Sequence, residues 1–296
     1  MEVKQLLFFK RAAELEHMTQ AAKDLQVSQP FLSKTIAELE DELGVKLFDH
    51  VGRGVVLNEY GRAYYRHVVK MVNEAEDAQA ELRDMLEQQK SEIFIATNVG
   101  LYMPALFKKV ANAEPEIAMR LHSARRRRII SMLQEGLVDY AVCVPSIDEP
   151  GLETKVLMRE QGAIIYPPGH WLKDYKEIRL KDLVNETFIS VAPGYGTRDA
   201  AEDYFRQVGV YPSVGVETTD TSSIFSFVNN GLGIAFAALT LVKNNPDFAN
   251  QYAILTDPPL YTEVGLTRAS GRYLSENCKV FSNIAIDYFR ELGADN

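Results

Sequence analysis

Three polar residues, Gln29, Ser33 and Lys34, have the types and the spacing to bond to DNA from one side of a helix. A glutamine side chain can bond to a base edge through two atoms, a serine hydroxyl can reach a base or a phosphate, and a lysine neutralises phosphate. Residues four apart lie on the same helical face. The segment is therefore a candidate for reading DNA, provided that a helix begins near Ser28.

The stretch 19–43 predicts two short helices joined by a polar turn. Thr19 is the expected N-cap of the first helix and Ser28 that of the second, and Pro30 falls in a first turn, where no intrahelical donor is lost. The second helix has a core-facing apolar stripe: Leu32, Ile36, Leu39 and Leu43. This pattern is typical of a helix-turn-helix. On spacing alone, an ordinary pair of amphipathic helices is an equal alternative.

The flanking residues favour the helix-turn-helix. A predicted helix over 3–15 offers a third packing face. After residue 43, two apolar runs flank Gly52, Arg53 and Gly54, which predicts a β-hairpin, or wing. Arg53 at its tip would reach phosphate or the minor groove.

The run from Met1 to about residue 66 closely resembles the N-terminal domain of LysR-type transcriptional regulators. The residues that match follow in order along the chain: Leu6, Phe9, Thr19, Ala21, Ala22, Leu25, Ser28, Gln29, Pro30, Ser33, Leu39, Glu40, Leu43, Gly44, Leu47, Phe48, Leu57 and Gly61. The resemblance implies a set of residues at the DNA, namely Thr19, Ser28, Gln29, Pro30, Ser33, Lys34 and, in the wing, Arg53. Phe31, His50 and Asn58 depart from the family's usual residues, which bears on the target sequence and affinity.

Composition and charge narrow the class of protein further. A chain of 296 residues can form two or three domains, and 46% hydrophobic with 25% charged residues is typical of a soluble globular protein. No apolar run approaches the ~20 residues of a membrane helix, and the N-terminus lacks the pattern of a signal peptide. We therefore expect a cytoplasmic protein with no membrane partner.

The charge distribution limits how this chain could bind DNA. The net charge is −9, which argues against a general nucleic-acid coat protein. Residues 1–58 contain seven Lys or Arg and nine Asp or Glu. Binding would then depend on a few well-placed side chains, duplicated in a dimer, and we expect weak non-specific binding.

A heptad pattern follows over residues 59–89, with no proline. Apolar or small residues recur at alternating spacings of four and three: Tyr64, Val68, Met71, Ala75, Ala78, Leu82 and Met85. The alternatives are a dimerisation seam and a single long helix lying on its own domain. We favour the seam, because the opposite face is charged, and a dimer would engage two half-sites.

From residue 92 short strands alternate with helices, which predicts an α/β fold with mixed, largely parallel sheets. We expect a winged helix-turn-helix domain over 1–58, a linker helix over 59–90 and a two-lobed, periplasmic-binding-protein-like effector domain over 91–296. Lobe I would span about 91–160 and 268–296, and lobe II about 161–267. Segments 136–142 and 229–236 resemble the effector domain of LysR-type regulators.

Ligands in such lobes bind where parallel strands end and helices begin. The loops in question supply free amides, hydroxyls and a cation: Thr97, Asn98, Gly100, Leu101, Tyr102, Ser123, Arg125, Gly194, Tyr195, Gly196 and Thr221. This set suits a small anion, and a carboxylate is the expected effector. The alternative is that Ser123, Thr197 and Thr221 are merely helix caps. The run 125–128 is four arginines at a predicted helix start, where an anionic group should compensate them.

Cys143 and Cys278 show neither pairing nor metal spacing, so we expect two buried thiols, no metal and no cofactor. Peroxide-sensing members of the family use a cysteine pair in the middle of the effector domain, which this chain lacks. Two alternatives to a regulator remain. An enzyme with an accessory helix-turn-helix would need a nucleophile elbow, a phosphate-binding loop or a metal cluster, and none is found. A small-molecule carrier would leave the helix-turn-helix and the heptad seam unexplained.

A regulator is therefore the favoured reading of the sequence. Its expected partners are double-stranded DNA, a small effector and further copies of the chain in a dimer or tetramer. RNA polymerase is a further candidate partner.

Overall fold

The structure is a computed structural model that describes residues 2–51, 54–86, 92–248 and 250–294. The chain divides into two compact units, Met1–Glu87 and Gln88–Asn296, and each has a hydrophobic core of its own. Within the described ranges, no helix combines the length and the apolar content that crossing a membrane requires.

The N-terminal unit contains a helix-turn-helix and a two-stranded hairpin. Its elements are α1 (Val3–Leu15), α2 (Met18–Asp24), α3 (Gln29–Leu43), β1 (Phe48–Val51), β2 (Gly54–Leu57) and α4 (Glu59–Met85). The strands pair antiparallel, with Val51 opposite Gly54. Gly52 and Arg53, the predicted tip of the wing, lie outside the described residues.

Capping residues determine where the helices of this unit begin. The prediction that Thr19 caps α2 is wrong, because α2 begins at Met18 and its N-cap is His17, whose Nδ1 accepts a hydrogen bond from the Gln20 amide at 3.3 Å. The prediction for α3 is confirmed, since the Ser28 hydroxyl accepts from the Phe31 amide at 3.4 Å. Each cap satisfies an amide that the helix itself leaves free.

The core of this unit is formed by the predicted apolar stripes. Fully or almost fully buried side chains from α1, α2 and α3 are Leu6, Phe9, Ala13, Ala21, Ala22, Leu32, Ile36 and Leu39. Asn58, which departs from the family's usual residue, immediately precedes α4, and its Oδ1 accepts from the Gly61 amide at 2.9 Å. Asn58 therefore caps the first turn of α4.

The helix α4 is buried at its start and exposed further along. Val68 is fully buried within its own unit, and the ring of Tyr64 packs 5.2 Å from that of Phe9. Beyond them Met71 is 39%, Leu82 59% and Met85 74% exposed. The part of the predicted seam that a partner could reach therefore begins at Met71.

The C-terminal unit is a mixed α/β structure in two lobes. Its elements are β3 (Glu92–Thr97), α5 (Met103–Ala113), β4 (Ala118–Ser123), α6 (Arg126–Gln134), β5 (Tyr140–Cys143), β6 (Leu152–Ile165), β7 (Glu177–Arg179), β8 (Thr187–Val191), α7 (Gly196–Val208), β9 (Ser213–Thr218), α8 (Ser223–Asn229), β10 (Ile234–Ala238), α9 (Leu239–Lys243), β11 (Tyr252–Thr256), β12 (Tyr261–Ala269) and α10 (Glu276–Ala294). The strand order is β4-β3-β5-β12-β6-β10-β8-β9, with β11 pairing β6 and β7. The predicted fold class is confirmed.

One strand, β6, connects the lobes. Its first part pairs antiparallel with β12, and its last residues, from Gly162 to Ile165, pair with β10 and β11. The sequence predicted only the second part, over 163–166. The first part was missed because residues 152–161 contain four charged residues and no regular alternation of apolar and polar ones.

Candidate functional site

The predicted reading helix lines a groove of about 510 Å³ between α3 and the hairpin. Gln29 and Ser33 reach it from α3, and Thr19 reaches it from α2. The structure thus brings three of the predicted DNA residues together on one concave surface. Sequence reasoning did not select His17, Lys46 and His50, which also line the groove. His50 was noticed only as a departure from the family's usual residue.

The polar face of α3 is exposed and partly bonded within itself. The Gln29 side-chain amide donates to the Ser33 hydroxyl at 2.8 Å. Lys34 Nζ lies 3.7 Å from a Glu38 carboxylate oxygen, and these two side chains are 75% and 55% exposed. Such a pair contributes little to stability, so a DNA phosphate can replace the carboxylate.

Other basic side chains of this unit are also paired with carboxylates. Lys10 contacts Glu14, and Arg11 contacts Glu14 and Asp24. These pairs hold positive charge close to negative charge. The positive charge of Lys10, Arg11 and Lys34 is therefore partly offset within the unit.

A buried carboxylate fixes the hairpin to α3. Glu40 on α3 is only 8% exposed, and its oxygens accept from the Leu47 amide and from Lys46 Nζ, each at 2.8 Å. The hydrogen bond to Glu40 raises the pKa of Lys46. Both flanks of the groove are thereby held in one arrangement before any DNA is bound.

Phe31 lies beside the groove-lining residues and packs on the first helix. It is 45% exposed, and its ring meets that of Phe8 edge-on at 6.0 Å. Lys4 Nζ lies 5.4 Å from the Phe31 ring centre and 5.5 Å from that of Phe8. Phe31, which departs from the family's usual residue, thus has a packing partner on α1.

In the C-terminal unit, predicted effector residues from both lobes touch one another. The Arg126 amide donates to the Gly194 carbonyl at 2.9 Å, across the lobes. A Cβ at Gly196 would lie 3.0 Å from the Asn98 carbonyl oxygen. The Arg125 guanidinium lies 5.7 Å from the centre of the Tyr195 ring. The predicted loops that contain Asn98, Arg125 and Tyr195 are therefore in direct contact at this place.

Several of these side chains are already bonded to the protein. Thr97 Oγ1 donates to the Val142 carbonyl at 2.8 Å. The Asn98 amide exchanges two hydrogen bonds with Val144, at 2.8 and 3.0 Å. The interpretation of Ser123 and Thr221 as helix caps does not hold, because the N-caps of α6 and α8 are other residues.

The arginine run is compensated by several different groups. Arg126 donates to the carbonyls of Pro145 and Ser146, at 2.5 and 2.8 Å. Arg128 lies 3.2 Å from a Glu135 oxygen. The helix α6 begins at Arg126, one residue later than predicted. Carbonyls, a carboxylate and the Tyr195 ring together offset the charge.

An open cavity of about 400 Å³ lies where β6 and β12 run between the lobes. Its polar lining comes from both lobes and from the two strands: Ser146, Arg159, Asp203, Tyr261, Thr262 and Glu263. Sequence reasoning missed this set, because Arg159 lies in the middle of β6 and Tyr261, Thr262 and Glu263 lie at the start of β12, whereas ligands were expected where parallel strands end.

A smaller, mainly apolar cavity of about 30 Å³ adjoins it and shares Ala200 and Thr262. Glu160 lies at its wall and is only 1% exposed. Its carboxylate accepts from the Tyr102 hydroxyl at 3.1 Å and from the Thr240 hydroxyl at 2.8 Å. Burial raises the pKa of Glu160, and the Thr240 and Tyr102 hydrogen bonds act against that rise.

The two cysteines are buried, as predicted. Burial raises the pKa of the Cys143 thiol to about 12, so its reactive thiolate is scarce at neutral pH. Within the described ranges, no group of His, Cys, Asp and Glu could hold a metal ion.

Two family models match the chain. The model described as "Bacterial regulatory helix-turn-helix protein, lysR family" matches residues 3–62, and that described as "LysR substrate binding domain" matches residues 87–290. The chain belongs to the LysR family of transcriptional regulators. It is a DNA-binding transcriptional regulator with an effector-binding domain, and not an enzyme. Regulators of this family form oligomers.

Relatives and solved structures agree with this assignment over nearly the whole chain. The HTH-type transcriptional regulator YybE of Bacillus subtilis (strain 168) is 28% identical over 294 residues, covering 98% of this chain and all of the relative. Full-length OxyR C199D from Pseudomonas aeruginosa has the same fold, with a TM-score of 0.72 at 20% identity over 98% of this chain and 95% of that one. CbnR in complex with its target DNA also matches, with a TM-score of 0.56 at 20% identity over 99% and 100% of the chains.

Proposed function

We propose that this regulator binds its operator as a homodimer through α3, and that a small effector bound between its two lobes changes that binding. The observation that carries the proposal is the groove of about 510 Å³ lined by Gln29, Ser33 and Thr19. A recognition helix that enters the major groove must present its polar side chains on one exposed surface, and α3 has that property.

The side chains of α3 divide into two kinds of contact. Gln29 and Ser33 are placed for base edges, and their mutual hydrogen bond would be exchanged for bonds to a base. Lys34 lies beside Ser33, outside the lining of the groove, and is placed for a phosphate. We include Ser28 and Pro30 at the helix start and Arg53 in the wing, as the sequence predicts.

We propose that the exposed part of α4 forms the dimer interface, from Met71 onward. Met71, Leu82 and Met85 leave much apolar surface exposed in the single chain. Covering this surface with a second copy would remove it from water and would double the number of DNA contacts.

We propose that the effector binds between the lobes, beside the contact of Arg125 with Tyr195 and Gly194. A ligand there would touch both lobes and would favour one arrangement of them. By linkage, it can alter DNA binding only through such a preference. The matching family model describes bacterial regulators, and bacterial DNA lies in the cytoplasm. We therefore propose that the protein acts in the cytoplasm.

The test of the reading helix is an operator selected from a random DNA library with the full-length protein. We expect Gln29→Ala to lose about 1–3 kcal/mol of discrimination at one base pair of each half-site. We expect Lys34→Ala to weaken binding to all sequences about equally and to lower the salt slope by about 1.

The matched control is Lys70→Ala, which removes the same charge from an exposed position on α4. We expect Lys70→Ala to bind DNA with the same salt dependence as the wild type and to select the same operator sequence. Equal losses in Lys34→Ala and Lys70→Ala, or unchanged base preference in Gln29→Ala, would contradict the assignment to α3.

A further inference from the structure

The cavity of about 400 Å³ between the lobes contains both signs of charge. One cation, Arg159, and two carboxylates, Asp203 and Glu263, line it. A ligand with a negative charge alone would approach both carboxylates, and a ligand with a positive charge alone would approach the guanidinium. The lining fits a molecule that carries one charge of each sign.

Arg159 is available to a ligand carboxylate. Its guanidinium lies 4.3 Å from the centre of the Tyr261 ring, which holds it in place on one side. No ion pair involving Arg159 is found among the described residues, even though Glu263 is its partner residue on the neighbouring strand. A guanidinium presents paired N–H donors that match the two oxygens of a carboxylate.

The carboxylates of the cavity are available to a ligand ammonium group. Glu263 accepts one hydrogen bond, from the Ser146 hydroxyl at 2.9 Å, and keeps free lone pairs. Asp203 lies 2.7 Å from Arg206, but both side chains are about 70% exposed, so that pair is weak. Glu263 is therefore the stronger candidate for the ammonium contact.

The adjoining apolar cavity has room for an apolar group of the ligand, in addition to its carboxylate and its ammonium group. It holds about 30 Å³, which is room for roughly two water-sized groups. Thr262 lines both cavities, and its hydroxyl oxygen is buried and has no hydrogen-bond partner. A ligand that spans the two cavities would supply that missing partner, with a short apolar group beyond it.

We propose that this cavity binds a zwitterionic α-amino acid with a short apolar side chain. Its carboxylate bonds to Arg159, its ammonium group bonds to Glu263, and its side chain enters the apolar cavity beyond Thr262. The inference rests on the proposed function, since it names the chemical class of the effector. Ser146 belongs to lobe I and Ala200 to lobe II, so the ligand stabilises the arrangement that brings them together.

The test is calorimetric titration of the full-length protein with L-alanine and L-valine. Two analogues of valine each lack one charge: 3-methyl-2-oxobutanoate lacks the ammonium group, and isobutylamine lacks the carboxylate. We expect L-valine to bind, and both analogues to bind at least ten-fold more weakly than valine. If the oxo acid binds as tightly as L-valine, the proposal of a zwitterionic ligand is overturned, and an anionic effector remains consistent with the result.

Variants separate the two charged contacts. Arg159→Gln and Glu263→Gln should each weaken amino-acid binding at least ten-fold, and Glu263→Gln should weaken binding of the oxo acid less. Lys155→Gln, which removes a charge from an exposed position on the same strand, is the matched control and should bind normally. Normal binding by Arg159→Gln, or no binding of either amino acid to the wild type, would overturn the proposal.

Operator binding, measured with and without L-valine, distinguishes this inference from the proposed function. Valine that binds to the cavity and leaves operator affinity unchanged supports the ligand class and contradicts the effector role. Operator binding that changes with the oxo acid alone supports the effector role and overturns the ligand class.

Discussion

At the scale of single residues, Glu160 is the most informative side chain of the C-terminal unit. It lies in the middle of a strand, it is almost fully buried, and it is held by Tyr102 and Thr240 from distant parts of the chain. An ionised carboxylate in such a place loses much of its hydration. Burial raises the pKa of Glu160 for this reason, and we therefore expect the stability of the unit to vary with pH.

Glu160→Gln should change how stability varies with pH. A carboxyl whose pKa is higher in the folded state gives stability that is fully present below its unfolded pKa and is lost as pH rises through its folded pKa. As the pH rises from about 4 through the raised pKa of Glu160, the melting temperature of the wild type should therefore fall relative to that of Glu160→Gln. The amide keeps an acceptor for Thr240 and cannot ionise.

The measurement is thermal unfolding of both proteins across this range, at constant ionic strength. Glu177→Gln, at an exposed position on β7, is the control for removing a carboxylate from the same unit. Parallel curves for the wild type and Glu160→Gln would show that this carboxyl does not contribute to the pH dependence.

At the scale of elements, α4 serves two surfaces in succession. Its first turns complete the core of the N-terminal unit, where Val68 and Val72 are buried. Its later turns leave Leu82 and Met85 largely exposed. The heptad spacing is the same in both parts, so spacing alone did not reveal that the early positions pack within their own unit.

Leu82→Gln should weaken the proposed dimer without unfolding the chain, because Leu82 is 59% exposed in the single copy. Burial of a leucine side chain is worth about 1.5–3 kcal/mol, and a symmetric dimer buries two of them. The dissociation constant should therefore rise at least about ten-fold, as measured by sedimentation over a range of concentrations. Glu76→Gln, at an exposed position outside the seam, should leave the constant unchanged.

Local signals predicted the elements well, and long-range partners account for what was missed. The bounds of α1 and the start of α4 follow from apolar spacing and from a capping residue, which act within a few positions. The first part of β6 was missed because Glu160 reads as a surface residue. Its burial depends on Tyr102 and Thr240, which lie 58 and 80 positions away.

The contrast between local signals and long-range contacts also explains which candidate sites the sequence could predict. The reading face of α3 was predictable, since Gln29 and Ser33 are neighbours on one helix. The inter-lobe cavity was not, because Arg159 and Tyr261 meet only when two strands run side by side. Because ligands were expected at strand ends, the sequence pointed to the loops that contain Arg125 and Tyr195. It did not point to the inter-lobe cavity lined by Arg159.

At the scale of the whole C-terminal unit, contact between the lobes depends on small residues. A side chain at Gly196 would press against the backbone of Asn98 in the other lobe. The backbone there cannot move aside as a flexible side chain would. Close approach of the lobes is thus compatible with glycine at this position and unfavourable with any larger residue.

Gly196→Ala should destabilise the unit by about 1–3 kcal/mol, since the added methyl group is crowded. Gly100→Ala, in the opposing lobe, is the matched control, because a Cβ there would have nothing within 4 Å. Its melting temperature should stay close to that of the wild type. Equal melting temperatures for the two variants would mean that the lobes do not meet at Gly196 in solution.

The paired basic residues of the N-terminal unit have a consequence for the regulator in a cell. Lys10, Arg11, Lys34 and Lys46 each have a carboxylate beside them, so a phosphate must compete for each of them. A chromosome offers millions of non-operator sites, and a strongly basic protein is largely sequestered on them. This regulator would leave a larger share of its copies unbound. Occupancy of the operator would then respond directly to the number of molecules that the cell makes.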